Sequence, residues 1–225
     1  ARDGTVLCDL SQFGTLRVSG AEAQQFLQNM LSNDIREAGA AGAQLSSLNT
    51  PKGRMLATML IWRAGDDYLL QLPRTLCEPI RKKLAMYVLR AKVKIADASD
   101  EIVSLGLSGA NAQEVLQGKF DELPKLPQIL WAELSTRARP AGSGCWDWLN
   151  IRSGIPVILP QTQEQFVAQM ANLDLVNGVS FKKGCYPGQE IVARMQYLGK
   201  LKRRMYLAHI DSTETPQAGD ELFSA

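Results

Sequence analysis

Residues 6–10 and 15–18 read as two short strands meeting at a turn on Gly14. Ser19-Gly20-Ala21-Glu22 then has the form of a capping box, with Ser19 as N-cap and Glu22 three residues on. The helix it predicts carries Ala23, Phe26, Leu27, Met30 and Leu31 on one face, at spacings of three and four, and should end near Asn33. Residues 44–49 predict a strand. Residues 54–62 and 67–72 predict a hairpin around Ala64-Gly65-Asp66. Residues 74–89 predict a helix, with Leu76, Ile80, Leu84 and Val88 at intervals of four. Within it Glu78 and Lys82 are spaced for an ion pair, and Pro79 is expected in the first turn.

Beyond that helix, Val93 and Ile95 alternate with lysines, as on an edge strand, and residues 101–107 predict another strand. The segments 16–28 and 105–117 share the pattern Leu-x-x-Ser-Gly-Ala-x-Ala-Gln-x-x-Leu-Gln. A duplicated strand–helix unit and convergence on one good turn both explain this echo. Prolines interrupt residues 119–140, and residues 141–144 read as a turn. Residues 163–170 read as a short helix or a loop. Residues 203–210 predict a strand, followed by a turn at 218–222. Strands mixed with capped helices predict the α+β class, with no long parallel unit.

Composition is that of a globular chain, 45% hydrophobic and 21% charged, and 225 residues allow one large or two ordinary domains. The net charge of +2 gives no global argument for nucleic acid or membrane. No apolar run approaches the ~18 residues of a membrane span, so no membrane partner is expected. No leader pattern opens the chain, but it starts at Ala1 without Met, so that carries no weight. Cys8, Cys77, Cys145 and Cys185 form no CxxC pair, which favours free thiols in a reducing compartment over disulfides or zinc. One histidine, His209, leaves little material for histidine-based chemistry.

The segment 181–204 concentrates what chemistry there is. Gly184 and Gly188 bracket Cys185-Tyr186-Pro187, a loop able to hold backbone conformations closed to other residues. Lys182 and Lys183 precede Cys185, and ammonium groups near a thiol favour the nucleophilic thiolate. A small buried hydrophobe is the ordinary role of a cysteine, and the other three cysteines are read that way. Gln189 and Glu190 add an amide and a carboxylate. Arg194 and the run Lys200, Lys202, Arg203, Arg204 read either as an anion-binding patch or as a solvated strand edge. Trp146 and Trp148 read as core, or as the frame of a ring-binding pocket.

Lys183-Gly184-Cys185-Tyr186-Pro187-Gly188-Gln189-Glu190, continued by Ile191-Val192-Ala193-Arg194, resembles the signature Lys-Gly-Cys-aromatic-x-Gly-Gln-Glu of the YgfZ family. Val18-Ser19-Gly20-Ala21, Pro51-Lys52-Gly53-Arg54, Ser153-Gly154-Ile155-Pro156 and Asn172-Leu173-Asp174 match that family in order, over nearly the whole chain. The resemblance implies a fold like the glycine-cleavage T-protein: two α/β domains around a central channel, then a β-barrel. Applied here, it implies a first domain from 1–48 and 150–200, a second over 49–149, and the start of a barrel at 201–225. The barrel would then be cut, lost or absent. It also implies a cytoplasmic protein that binds tetrahydrofolate or a one-carbon derivative. Its clients would be iron–sulfur enzymes or assembly proteins, including those that modify tRNA. Cys185 would be the reactive thiol. Lys183, Gly184, Tyr186, Gly188, Gln189, Glu190 and Arg194 would shape the cofactor site. Two other readings stand beside it: a folate-dependent aminomethyl or one-carbon transferase, and a module that binds tRNA or an enzyme through residues 200–204. Ala57 and Thr58 stand where the T-protein carries its acidic catalytic residue, which argues against aminomethyl transfer. Arg152 stands where relatives often carry Glu, and residues 166–169 read Phe-Val-Ala-Gln in place of Phe-Ile-Pro-Gln.

Overall fold

The computed structural model describes residues 4–39, 42–116, 127–199, 201–211 and 216–220. Its largest element is an antiparallel five-stranded sheet in the order β3-β4-β5-β2-β6. The strands are β2 (Phe13–Ser19), β3 (Gln44–Asn49), β4 (Met55–Ala64), β5 (Asp67–Pro73) and β6 (Lys94–Asp97). Leu16, Leu70 and Ile61 lie opposite one another across three strands and therefore share one face. That face is closed by α1 (Ala23–Met30) and α2 (Arg74–Val88), whose Phe26, Leu27, Leu76, Ile80 and Leu84 complete the main core. Thr15, Gln71 and Leu60 line up on the other face.

A smaller sheet in the order β7-β1-β8 joins β1 (Val6–Asp9), β7 (Leu105–Ser108) and β8 (Arg139–Ala141). It packs with α3 (Ala112–Leu116), α4 (Pro127–Ser135) and α5 (Ser143–Arg152). The echoed segments occupy equivalent places, β2 before α1 and β7 before α3, with Gly20 and Gly109 both at positive φ. Gln117 lies outside the described residues. The expected domain boundary between residues 48 and 49 falls within β3, where Leu48 pairs with Ala57 inside one sheet.

Several local expectations need correction. Gly14 is a buried residue inside β2, not a turn. The turn comes earlier, where the Asp9 carboxylate accepts the Ser11 amide and Phe13 N–H donates to the Leu10 carbonyl. The two flanking strands consequently part into different sheets. Ser19 does not cap α1, which starts later. Glu22 occupies the cap position, and its carboxylate accepts the Lys92 amide at 2.7 Å instead. Pro79 is the sixth residue of α2, beyond the first turn, so one intrahelical hydrogen bond is missing there. Residues 145–151, given no helix by pattern, lie in α5. The strand expected over 203–210 is not formed among the described residues. No ladder partner faces it, and Arg204 holds this segment against residues 169–174 instead. No described helix is long and apolar enough to cross a membrane.

Candidate functional site

The motif 183–190 folds as a loop entering α6 (Gln189–Tyr197), and its side chains have divided roles. Lys183 is buried, and its ammonium donates to the backbone carbonyls of Gln28, Leu31 and Asn33. These carbonyls lie at or just past the C-terminal end of α1, where helical acceptors lack partners and the helix dipole is negative. Burial pushes the Lys183 amine down to about 8; Asp34 opposes that shift and Arg36 adds to it. Tyr186 is also buried, with the Lys183 ammonium 5.0 Å from its ring centre. Burial pushes the Tyr186 phenol up to about 12.

Gly188 caps α6 at φ +80 and presses on the turn at Pro51-Lys52-Gly53. A Cβ on Gly188 would lie 2.5 Å from Gly53 Cα and from the Thr50 carbonyl oxygen. A Cβ on Gly53, at φ +72, would lie 2.9 Å from Ile191 Cβ on the other side. The loop is thus fixed at 183, 186 and 188. Between these anchors Gly184 and Cys185 are exposed, and Cys185 is the one exposed cysteine of four. Cys8 and Cys77 are buried, and burial pushes both thiols up. Gln189 N–H closes the turn on the Tyr186 carbonyl, while Glu190 and Arg194 pair with each other at 2.7 Å on the surface. Lys183 is therefore aimed into α1, and Arg194 is engaged by Glu190. Of the basic run, Lys200 lies outside the described residues. Arg204 is taken by Asp174, through two bonds of 2.8 and 2.9 Å, and by Gln169 and Asn172.

A separate cavity of about 160 Å³ lies on the sheet face away from α1 and α2. Phe13, Leu45, Thr58, Leu60 and Gln71 form its floor, and Trp146, Asn150 and residues 155–157 form its roof. Trp146 lies against Gly106, where a Cβ would come within 2.5 Å of the indole ring. Thr58 accepts the Ile158 amide at 3.1 Å, and Gln71 donates to Ser104 at 2.8 Å, leaving the Gln71 carbonyl oxygen without a bond among the described residues. Among the described residues, no lining side chain is ionisable. Ala57 faces the core under α1, so Thr58 alone meets the cavity at the position expected to be acidic. Trp148 does not join Trp146 here. It is exposed, with the Arg152 guanidinium 5.8 Å from its ring centre. None of residues 183–190 lines the cavity. Asn150 and Gln71 were missed by sequence. Asn150 sits one helical turn after Trp146, a signal readable only once 143–152 is known to be helical.

Residues 1–136 match the GCVT N-terminal domain family. The tRNA-modifying protein YgfZ of Enterobacter sp. (strain 638) is 30% identical over 99% of this chain and 77% of that protein. Its counterpart in Escherichia coli (strain K12 / DH10B) is 31% identical over the same shares. The glycine cleavage system aminomethyltransferase T of Bartonella henselae superposes with a TM-score of 0.72 at 18% identity, over 87% of this chain. The chain spans 64% of that structure's length. At that identity the likeness establishes the fold alone, which is α+β and T-protein-like. With the motif, the curated relatives and the amino-terminal domain in agreement, this chain belongs to the YgfZ family.

Proposed function

We propose that this chain is a cytoplasmic, tetrahydrofolate-binding accessory protein of tRNA modification, supporting the iron–sulfur clusters of client enzymes, with Cys185 as its reactive thiol. The observation that carries the folate reading is the uncharged cavity against the sheet. Its aromatic wall and its Thr58, Gln71 and Asn150 groups suit a flat, neutral heteroaromatic ring with amide-like edges. At about 160 Å³ it is smaller than the ~300–1,000 Å³ typical of drug-sized ligands, so it would seat the pterin and leave the remainder outside. Bound tetrahydrofolate would supply a carrier for one-carbon units. The chain's own contribution would be to hold the ring, with Trp146 as an aromatic wall and Asn150 and Gln71 as the hydrogen-bonding groups for its edge. Aminomethyl transfer is not favoured, because no cavity side chain can take or give a proton near neutral pH. The thiol reading rests on the way three anchored positions present Cys185 to solvent.

Anaerobic calorimetric titration of tetrahydrofolate tests this. The wild type and Cys185→Ala should bind alike, and Trp146→Ala should bind at least about tenfold more weakly, equal to ~1.4 kcal/mol. No binding by the wild type, or equal binding by Trp146→Ala, sinks the cavity assignment. In cells, Cys185→Ala should lose support of tRNA modification while its melting temperature stays unchanged. Retained support removes the thiol from the mechanism.

A further inference from the structure

The chain's net charge is only +2, yet its cations are not spread evenly. Between Glu78 and Asp97 there is no acidic residue, while Arg81, Lys82, Lys83, Arg90, Lys92 and Lys94 all fall in that interval. The fold brings this interval together as the C-terminal part of α2, a tight turn and the edge strand β6. The turn is closed by Ala91 N–H on the Val88 carbonyl and Val93 N–H on the Ala91 carbonyl. Val93 and Ile95 pack on the main core; Lys92 is exposed in the turn, and Lys94, opposite Ser19 on β6, is exposed on the sheet side away from α2. Glu78 takes Arg81 and Lys82. Among the described residues, no carboxylate lies within ion-pairing distance of Lys83, Arg90, Lys92 or Lys94. The nearby acids are engaged elsewhere: Glu22 on the Lys92 backbone amide, Asp97 on Ser99, Asp100 on Arg74 and Glu101 on Arg17.

We propose that the exposed face along this α2–β6 edge of the sheet binds the phosphate backbone of structured RNA. It extends the proposed role in tRNA modification and relocates the contact from 200–204, where Arg204 is already held by Asp174. Lys83 on α2, Arg90 and Lys92 in the turn and Lys94 on β6 supply four unpaired positive charges, which counterion release converts into affinity. Tyr87 is exposed among these cations and offers a ring for an unpaired base to stack on. With phosphate contact by the four cations, their removal should cut both affinity and salt dependence.

The test is fluorescence anisotropy of a labelled, unmodified tRNA transcript with the full chain from 50 to 200 mM KCl. Replacing Lys83, Arg90, Lys92 and Lys94 together by Gln should weaken binding at least about 30-fold at 100 mM and reduce the log–log salt slope by about 3. Lys202→Gln with Arg203→Gln should change the affinity less than threefold. Tetrahydrofolate titration of the same quadruple variant checks its fold and reads the cavity assignment separately. If that variant does not fold, the two pairs Lys83/Arg90 and Lys92/Lys94 should each remove about half of the slope. An unchanged slope in the folded variant, or no tRNA binding by the wild type, overturns the proposal. Equal displacement of tRNA by polyglutamate, or by vesicles of anionic lipid at matched charge, overturns it too and reassigns the face to acidic proteins or to a membrane surface.

Discussion

Gly188 and Gly184 belong to the same motif, and the structure gives them opposite tolerance to the same change. An alanine at Gly188 must hold φ near +80, which costs an L-residue about 1–2 kcal/mol. Its Cβ would also sit 2.5 Å from Gly53 Cα and the Thr50 oxygen, and 2.6 Å from Gly53 N. All three are backbone atoms, so no rotamer change relieves the contact. The loop must instead move by close to 1 Å, and this loosens the Val192 amide bond to the Gly188 carbonyl, now 3.2 Å. With ~1 kcal/mol for that bond and a further ~1 kcal/mol for residual overpacking, Gly188→Ala should lose about 3–4 kcal/mol. At Gly184 nothing lies within 4 Å of a new Cβ and φ is not positive, so Gly184→Ala should stay within ~0.5 kcal/mol.

Urea unfolding followed by circular dichroism separates the two. With a slope near ~3 kcal/mol per molar, Gly188→Ala should shift the midpoint down by about 1 M, and Gly184→Ala hardly at all. Equal shifts in the two variants would refute the contact between the loop and the 50–53 turn. A Gly188→Ala loss below ~1 kcal/mol would refute it as well. Gly53→Ala is the reciprocal check, since it meets Ile191 at 2.9 Å.

Two further predictions concern pH. The Lys183 amine falls from 10.5 unfolded to about 8 folded, so the folded chain sheds its proton first. Stability should therefore rise between pH 8 and 10.5, by up to ~3 kcal/mol, relative to Lys183→Met, which has no such limb. Unfolding curves from pH 7.5 to 10 measure this below the point where Tyr186, held protonated up to about 12, begins to cost stability. A flat wild-type profile would count against burial of the ammonium. The hydrogen bond from Arg36 holds the Asp34 carboxyl down to about 2, from an ordinary 3.8. That contribution, at most ~2 kcal/mol, is present above pH 4 and lost as pH falls through 2, so Asp34→Asn should remove this part of the acid limb. The same acid limb in Asp34→Asn as in wild type would sink that assignment.

Much of the main sheet was legible because its strands are half-buried and its helices amphipathic. The hairpin β4–β5, strand β3 and helix α2 lie within a residue or two of their expected bounds, since patterns of two and of four encode burial directly. What failed was chemistry that depends on distant partners. Glu22 abandons the capping box because the Lys92 amide, 70 residues away, offers a better donor. Lys183 looked like a neighbour that would activate Cys185. Its ammonium instead terminates α1, 150 or more residues earlier in the chain. The cavity was invisible for the same reason. Its Thr58, Gln71 and Asn150 come from two strands and a helix that carry no shared pattern.

The motif thus has two kinds of residue, and sequence alone treated them as one. Lys183, Tyr186 and Gly188 hold the loop, and their loss would appear in folding. Cys185 makes no such contact, so its replacement should leave stability unchanged. The cavity divides along the same line. It keeps an aromatic wall and neutral hydrogen-bonding groups, and it lacks an acid or base. A site of that kind can hold a flat ring with specificity while having no means to move a proton. In the proposed function any group transfer draws its reactive centre from outside the lining, and the exposed thiol of Cys185 is the group proposed for it. The proposed function thus treats a T-protein-like sheet as a binding platform and assigns its reactivity to a separately anchored loop.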